Sequence, residues 1–332
     1  PSLSSPAAQA WTIGALAVGY LFSGLPGKAN LLCERQSEIY STIYYRKHLT
    51  ILMSNFSQSL RLSGQLYKAE LISRKGLVLS RKIKDYRSET INLDSLGFAK
   101  ASRGDFKQSK RALELSIKYA TKAGSQHHEV NSKLFLTQAY LLNSENREAA
   151  ELADEVWTLV NEDPLEKDVI RAAYCQGLAA LRLNDLLMAS KLMHFALKRV
   201  RVVQLVEEEL QTLIALSELY LRLGEIEKAR EHLDDIWDYA ESGPYPLFHA
   251  DALNVLAQIE IDANNPKAAI AAATEAYQKS WCDGPPYAYQ YGLQNAKRLL
   301  KKLGASQPEM PAFNSVKFEQ LPRVTIDLKG RL

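Results

Sequence analysis

The stretch Leu213-Ile-Ala-Leu-Ser-Glu-Leu-Tyr-Leu-Arg-Leu-Gly-Glu-Ile-Glu-Lys-Ala-Arg-Glu-His-Leu-Asp-Asp-Ile236 decides how the whole chain is read. Two helix-forming runs rich in Leu, Ala, Glu and Arg flank a single breaker, Gly224. Steps of 40 residues from Gly224 land on Gly24, Gly64, Gly104, Ser144, Asn184 and Asn264, all residue types that tolerate a tight turn. Five residues after each turn stand Ala29, Ala69, Ser109, Ala149, Ala189, Ala229 and Ala269. Seven residues before each stand Ala17, Ser57, Gly97, Thr137, Gly177, Ser217 and Ala257. Every one of these positions is small and no insertion breaks the spacing, so the chain is expected to be seven stacked helical hairpins.

Small residues on both sides of a turn let the two helices of a hairpin approach closely, ridge into groove. One residue before the first small position lie Leu16, Phe56, Leu96, Leu136, Gln176, Leu216 and Leu256, expected to face the shared core with Gln176 as the exception. Stacking also accounts for a length of 332 residues, more than one globular core ordinarily holds. With 46% hydrophobic and 24% charged residues the composition is that of an ordinary soluble protein. The longest apolar stretch, Ala7 to Phe22, has no basic region before it and is too short to span a bilayer, so it reads as a buried helix.

These positions resemble the signature of the tetratricopeptide repeat, and the unit around Gly224 matches best, with Leu213, Leu216-Ser217, Tyr220, Gly224, Ala229, Leu233 and Ile236 in the family's order. The resemblance covers residues from about 7 to 283. The family's tryptophan slot holds Ile13, Met53, Leu93, Lys133, Ala173, Leu213 and Leu253, so repeats four and five match least. The resemblance implies an all-α, right-handed superhelical solenoid of seven 40-residue hairpins, each helix longer than the family's usual one. Residues 1–6 read as a linker, 284–304 as a capping helix and 305–332 as an extended or disordered tail. Asp163-Pro-Leu-Glu166 and Asn265-Pro266 read as helix starts with a capping side chain and proline in the first turn. Gly243-Pro-Tyr-Pro246 and Asp283-Gly-Pro-Pro286 read as breaks, and a last helix is expected from Tyr287 to Leu303, its outer face carrying Lys297, Arg298, Lys301 and Lys302.

Catalytic chemistry finds little support. Gly24-Leu-Pro-Gly-Lys28 lacks the spacing and the hydroxyl of a phosphate-binding loop, and the turn already explains it. His127-His128 is the one histidine cluster; neighbours in sequence do not share a helix face, so it reads as a solvated helix start and not a metal site. Cys33, Cys175 and Cys282 are too far apart for a disulfide framework or a metal knuckle, which points to a reducing cytoplasm. No cofactor and no enzymatic activity are expected.

Charge is unevenly spread: Ser41 to Lys122 holds about 17 basic and 6 acidic residues, and Leu205 to Asp283 about 5 and 16. The basic residues lie scattered over both helices and the acidic half would repel a duplex, so a solvated surface is the preferred reading over nucleic-acid binding. In tetratricopeptide arrays the first helix of each pair lines the concave groove. That rule implies an inner surface of Gln58, Arg61, Asp94, Asn131, Gln138, Arg171, Tyr174, Arg182, Glu218, Arg222, Asn254 and Gln258, suited to a protein or peptide partner.

The closing segment Trp281-Cys-Asp-Gly-Pro-Pro-Tyr-Ala-Tyr-Gln-Tyr-Gly-Leu-Gln-Asn-Ala-Lys-Arg-Leu-Leu-Lys-Lys-Leu-Gly-Ala305 looks like the end of the arrays attached to bacterial signal-transduction ATPases of the NACHT and NB-ARC (STAND) type. That likeness implies a sensor or autoinhibitory array that regulates a fused ATPase. A stand-alone scaffold and the small-molecule-sensing domain of MalT-like activators are the alternatives. The apolar first helix, with Trp11, Leu16 and Phe22, is expected to be covered by further chain upstream or by a partner.

Overall fold

The computed structural model describes residues 5–162 and 165–326. The protein is a right-handed superhelical solenoid of helical hairpins. The pairs are α1 (Pro6–Phe22) with α2 (Pro26–Thr42), α3 (Arg46–Leu62) with α4 (Leu66–Lys82), α5 (Tyr86–Ser102) with α6 (Phe106–Lys122), and α7 (Gln126–Leu142) with α8 (Asn146–Glu162). Then follow α9 (Glu166–Arg182) with α10 (Leu186–Val203), α11 (Val206–Arg222) with the interrupted α12 (Ile226–Asp234) and α13 (Trp237–Ser242), and α14 (Pro246–Asp262) with α15 (Pro266–Trp281). A single helix, α16 (Gln290–Lys302), completes the stack.

Gly24, Gly64, Gly104, Ser144, Asn184, Gly224 and Asn264 all adopt positive φ. So do Tyr44, Lys84, Gly124, Gln204, Gly284 and Gly304, which mark the turns between hairpins and make 20 residues the underlying interval. At these turns except Gly284, which Pro285 follows, a backbone N–H reaches five residues back, as from Gln65 to Leu60 (2.9 Å), Glu225 to Tyr220 (2.9 Å) and Tyr45 to Tyr40 (3.0 Å), a left-handed helix cap that satisfies carbonyls the helix leaves unpaired. The small positions let the two helices of a hairpin approach closely, as where Gly97 faces Leu113 and Gly177 faces Leu192 and Met193. In repeats two and six the first small residue donates its hydroxyl to the carbonyl of the second, Ser57 to Ala69 (2.8 Å) and Ser217 to Ala229 (2.7 Å).

Four local expectations change. Leu16 is exposed instead of facing the core, as are Trp11 and Phe22 on the same helix, which is therefore not the buried helix its composition suggests. α9 begins at Glu166 with Leu165 as its cap, and Asp163-Pro164 lies outside the described residues. Asn265 precedes Pro266 as expected, but its amide donates to Glu260 (3.0 Å) instead of capping α15. α16 starts three residues after Tyr287, since Tyr287 and Tyr289 are buried in the segment leading to it.

The superhelix closes on itself. The hairpin turns of repeats one to three press against helix starts some four and a half repeats later. A β-carbon on Gly24 would stand 2.9 Å from Val206 Cγ1, one on Gly64 2.7 Å from Pro246 Cγ, and one on Gly104 2.7 Å from Gln290 Cγ. Glycine is required there twice over, for its backbone angle and for its missing side chain. Gly224, whose turn faces open space, meets nothing within 4 Å. Leu21, Ala29 and Leu62 accordingly share a core with Val206, Tyr245 and Phe248.

Residues 305–326 run back along α4. Tyr67 packs on Phe313 and Phe318 and donates to the Glu319 carbonyl (2.6 Å), Arg74 donates to the Pro322 carbonyl (2.9 Å) and Arg81 to that of Thr325 (2.8 Å). Beneath them Glu70, fully buried, is bound by Arg74, Lys100 and Arg103. Burial pushes its carboxyl up, but Arg103, Lys100 and Arg74 outweigh burial and hold it below its ordinary value. Among the described residues no helix is long and apolar enough to cross a membrane.

Candidate functional site

Because repeats one to three dock onto repeats six and seven and onto α16, the concave surface is a partly closed cavity instead of an open groove. A partition of Arg61, Phe98, Gln138 and Gln211 borders two chambers, of about 220 Å³ toward the C-terminal repeats and about 350 Å³ toward the N-terminal ones. Arg61 lies over the Phe98 ring at 4.4 Å and donates to Glu207 (3.0 Å), while Gln58 donates to the other oxygen of Glu207 (2.9 Å). Burial lowers the pKa of Arg61, and the Glu207 charge opposes that fall. Gln138 reaches Gln211 at 3.4 Å and closes the partition.

The N-terminal chamber is polar. A ladder climbs three successive first helices: Asn131 donates to Asp94 (3.1 Å), and Arg171 donates to Asn131 (2.7 Å) while lying 4.7 Å over the Phe135 ring. Burial raises the carboxyl of Asp94 to about 7 against hydrogen bonds from Ser116, Ser132 and Asn131. His127 contacts Asp168 (3.2 Å) and Arg87 donates to His128 (3.1 Å) at the mouth. No group of residues that could hold a metal ion occurs among the described residues.

The C-terminal chamber is amphipathic. Leu178, Ile214, Leu221 and Val255 make an apolar wall, faced by Tyr174, Arg182, Glu218, Asp251, Asn254, Gln258, Tyr291 and Arg298. Arg182 pairs with Glu218 and donates to the Tyr291 hydroxyl (2.6 Å). Burial disfavours its charge, but Glu218 and Tyr291 outweigh burial and hold its pKa above the ordinary value. The Tyr289 hydroxyl donates to Asp251 (2.8 Å), whose carboxyl burial lifts to about 7. Arg298 is exposed and donates to Asn295 at a marginal 3.3 Å, which places a cation at the chamber's edge.

Of the groove residues named from sequence, Gln58, Arg61, Asp94, Asn131 and Arg171 line the N-terminal chamber. Tyr174, Arg182, Glu218, Asn254 and Gln258 line the C-terminal one, and Arg61 and Gln138 border both. Arg222 lines neither: it donates to the Leu181 carbonyl (2.6 Å) and to Glu218 (3.0 Å) and bridges repeats five and six. Several of the others are buried and hydrogen-bonded to one another, so they are not the freely wetted side chains an open groove would present. Gln211, Asp251, Tyr291 and Arg298 were not among the named residues. The 40-residue frame contains them, since Asn131, Arg171, Gln211, Asp251 and Tyr291 form one column and Gln58, Phe98, Gln138, Leu178, Glu218, Gln258 and Arg298 another.

No protein-family model matches the chain, and no curated protein matches it. Among solved structures, a Rap protein complexed with competence and sporulation factor superposes with a TM-score of 0.56 at 12% identity, over 86% of this chain and 88% of that one. A tetratricopeptide repeat protein from Parabacteroides merdae superposes with a TM-score of 0.49 at 13% identity, over 89% of this chain and 98% of that one. The chain is thus similar in fold to a helical-repeat Rap protein, and at this identity the likeness speaks for the fold alone.

Proposed function

We propose that the protein is a sensing module whose interior cavity takes a short peptide or the end of a protein segment. The observation that carries this reading is the C-terminal chamber, where an apolar wall faces Arg298, Tyr174, Asn254 and Asp251. A cavity with a few convergent polar groups on an apolar lining suits recognition of one small amphipathic ligand. The partly closed superhelix leaves room for a short segment in preference to a folded partner. The Rap protein in the complex above is itself a helical-repeat protein with a bound factor, which agrees with this reading. On this reading the module signals by binding. Regulation of a fused ATPase, implied by the resemblance of residues 281–305, is the proposed output: an occupied cavity favours one arrangement of the superhelix, and an attached effector responds to it.

The test is selection of short peptides from a random library on the immobilised chain, with affinity then measured for the parent and for Tyr174→Ala with Arg298→Glu. Enriched peptides that lose at least about tenfold in affinity against the variant support the site. Selection that enriches no peptide, or affinity unchanged in the variant, rejects it.

A further inference from the structure

Arg61 and Arg171 are the two buried arginines among the described residues, at 5% and 6% exposure. A buried charge is costly unless a counter-charge and hydrogen bonds compensate it. Arg61 meets that condition through Glu207 (3.0 Å). Arg171 does not. It donates one hydrogen bond, to the neutral Asn131 (2.7 Å), and lies over the Phe135 ring, with no carboxylate within 4 Å and no acceptor for its other N–H groups among the described residues. Its side chain lines the N-terminal chamber.

The acids of that chamber are engaged elsewhere. Glu207 accepts from Arg61 and Gln58, Glu208 pairs with Lys167 (3.2 Å), and Asp168 contacts His127 (3.2 Å). Asp94 accepts from Asn131, and burial lifts its carboxyl to about 7, so at neutral pH it carries only part of a charge. At the mouth Arg87 is exposed, donates to His128 (3.1 Å) and likewise has no carboxylate within 4 Å among the described residues. Burial holds the pKa of Arg61 below its ordinary value despite Glu207, and the charge of Arg171 adds to that fall. The chamber is therefore short of negative charge.

We propose that the N-terminal chamber is a second ligand site, which takes the carboxylate or phosphate group of a small organic anion on the guanidinium of Arg171. The ladder holds the guanidinium in place: Asn131 donates to Asp94 and accepts from Arg171, while Phe135 supports the guanidinium plane from one face. The unused N–H groups of that planar fork suit two parallel hydrogen bonds to one oxyanion, a geometry that lysine does not offer. A chamber of about 350 Å³ leaves space for the rest of a small ligand. Arg87 at the mouth attracts the anion on entry. Nothing in this proposal depends on what the C-terminal chamber binds.

Isothermal titration calorimetry of the whole chain at pH 8 and constant ionic strength reads the binding, with sodium phosphate and sodium succinate as separate probes beside sodium chloride. At least one of the two probes is expected to bind in the millimolar range or tighter, and chloride more weakly. The tighter probe tells a phosphate site from a carboxylate site. Arg171→Gln is expected to lose at least about tenfold in affinity for that probe. Asp94→Asn removes a neighbouring charge that is ionised at this pH, so it should bind the probe at least about threefold more tightly than the parent. Misfolding cannot raise affinity, so this second variant decides the matter even where Arg171→Gln lowers stability. Neither probe binding more tightly than chloride, Arg171→Gln binding as the parent does, or Asp94→Asn showing no gain overturns the proposal. So does affinity lost in Arg298→Glu but kept in Arg171→Gln, which would move the anion to the C-terminal chamber.

Discussion

Arg61 on α3 and Glu207 on α11 form an ion pair at 3.0 Å across 146 positions of sequence, and this pair ties the basic first half of the chain to the acidic second half. Both partners are largely buried, so neither charge can turn to water if the other is removed. Arg61→Met or Glu207→Leu alone should cost about 3 to 5 kcal/mol, and the double variant should recover most of that loss. Urea midpoints of the two single variants and the double variant decide it. A double variant as unstable as the sum of the singles would mean that the pair does not join the two halves.

The closing turns make a second comparison. Gly64→Ala places a β-carbon against Pro246 at positive φ, whereas Gly224→Ala meets only the backbone penalty. The expected loss is about 1 to 2 kcal/mol for Gly224→Ala and about 2 to 4 for Gly64→Ala once overpacking is added. Thermal unfolding of both variants gives the difference, and equal losses would argue that the turn of repeat two is not held against α14.

Within the hairpins, a β-carbon on Gly97 would stand 2.6 Å from Leu113 Cγ, while one on Gly177 would meet Leu192 and Met193 at 3.2 Å. Leucine at either position should force the helices apart, at a cost of at least about 1 to 3 kcal/mol, with Gly97→Leu the worse. Lys110→Leu is the milder comparison, since it removes a half-buried side chain whose ammonium stands over the Tyr140 ring, 5.2 Å from its centre, and inserts nothing between the helices. Urea midpoints that fall equally for Gly97→Leu and Lys110→Leu would contradict this packing.

Asp94 makes stability depend on pH. Its carboxyl is lifted by burial to about 7, so between its ordinary value and that one the folded state holds a proton that the unfolded state releases. Stability from this group is therefore greatest at acid pH and declines as pH rises through neutrality. Asp94→Asn keeps a polar side chain in the ladder and removes the titration, so the loss of stability between pH 5 and 8 should be smaller in the variant. Chemical unfolding of both proteins across that range measures it, and parallel curves would rule Asp94 out as the titrating group.

The strap along α4 offers a further check. Deleting residues 305–332 uncovers Tyr67 and removes the carbonyls that accept from Arg74 and Arg81. The expected result is faster amide exchange in α4 and α5 and a melting temperature lower by several degrees, with α7 to α10 unchanged in exchange. Uniform exchange in α4 with and without the strap would show that it contributes nothing there.

How far the residues speak for themselves follows from the range of the forces involved. The hairpins are local: a turn residue such as Asn184 or Ser144 needs a left-handed backbone, and the small pair Ser217 and Ala229 lies twelve positions apart, so 40-residue spacing alone identifies the repeat. The same spacing placed Tyr174, Asn254 and Gln258 on the inner wall, and following the columns of Arg171 and Gln258 further along the chain reaches Asp251, Tyr291 and Arg298. Closure is another matter. Whether seven hairpins make an open arc or a closed turn depends on small rotations summed over every interface, and no single residue states that sum. Only the tertiary structure shows that Gly24, Gly64 and Gly104 are glycines because later helices press on them, while Asn184 and Asn264 make the same turn. It alone turns Arg61 and Arg171 from wetted groove residues into buried partners of Glu207 and Asn131, because a side chain at a given register position meets water or carboxylate according to what the superhelix brings to face it.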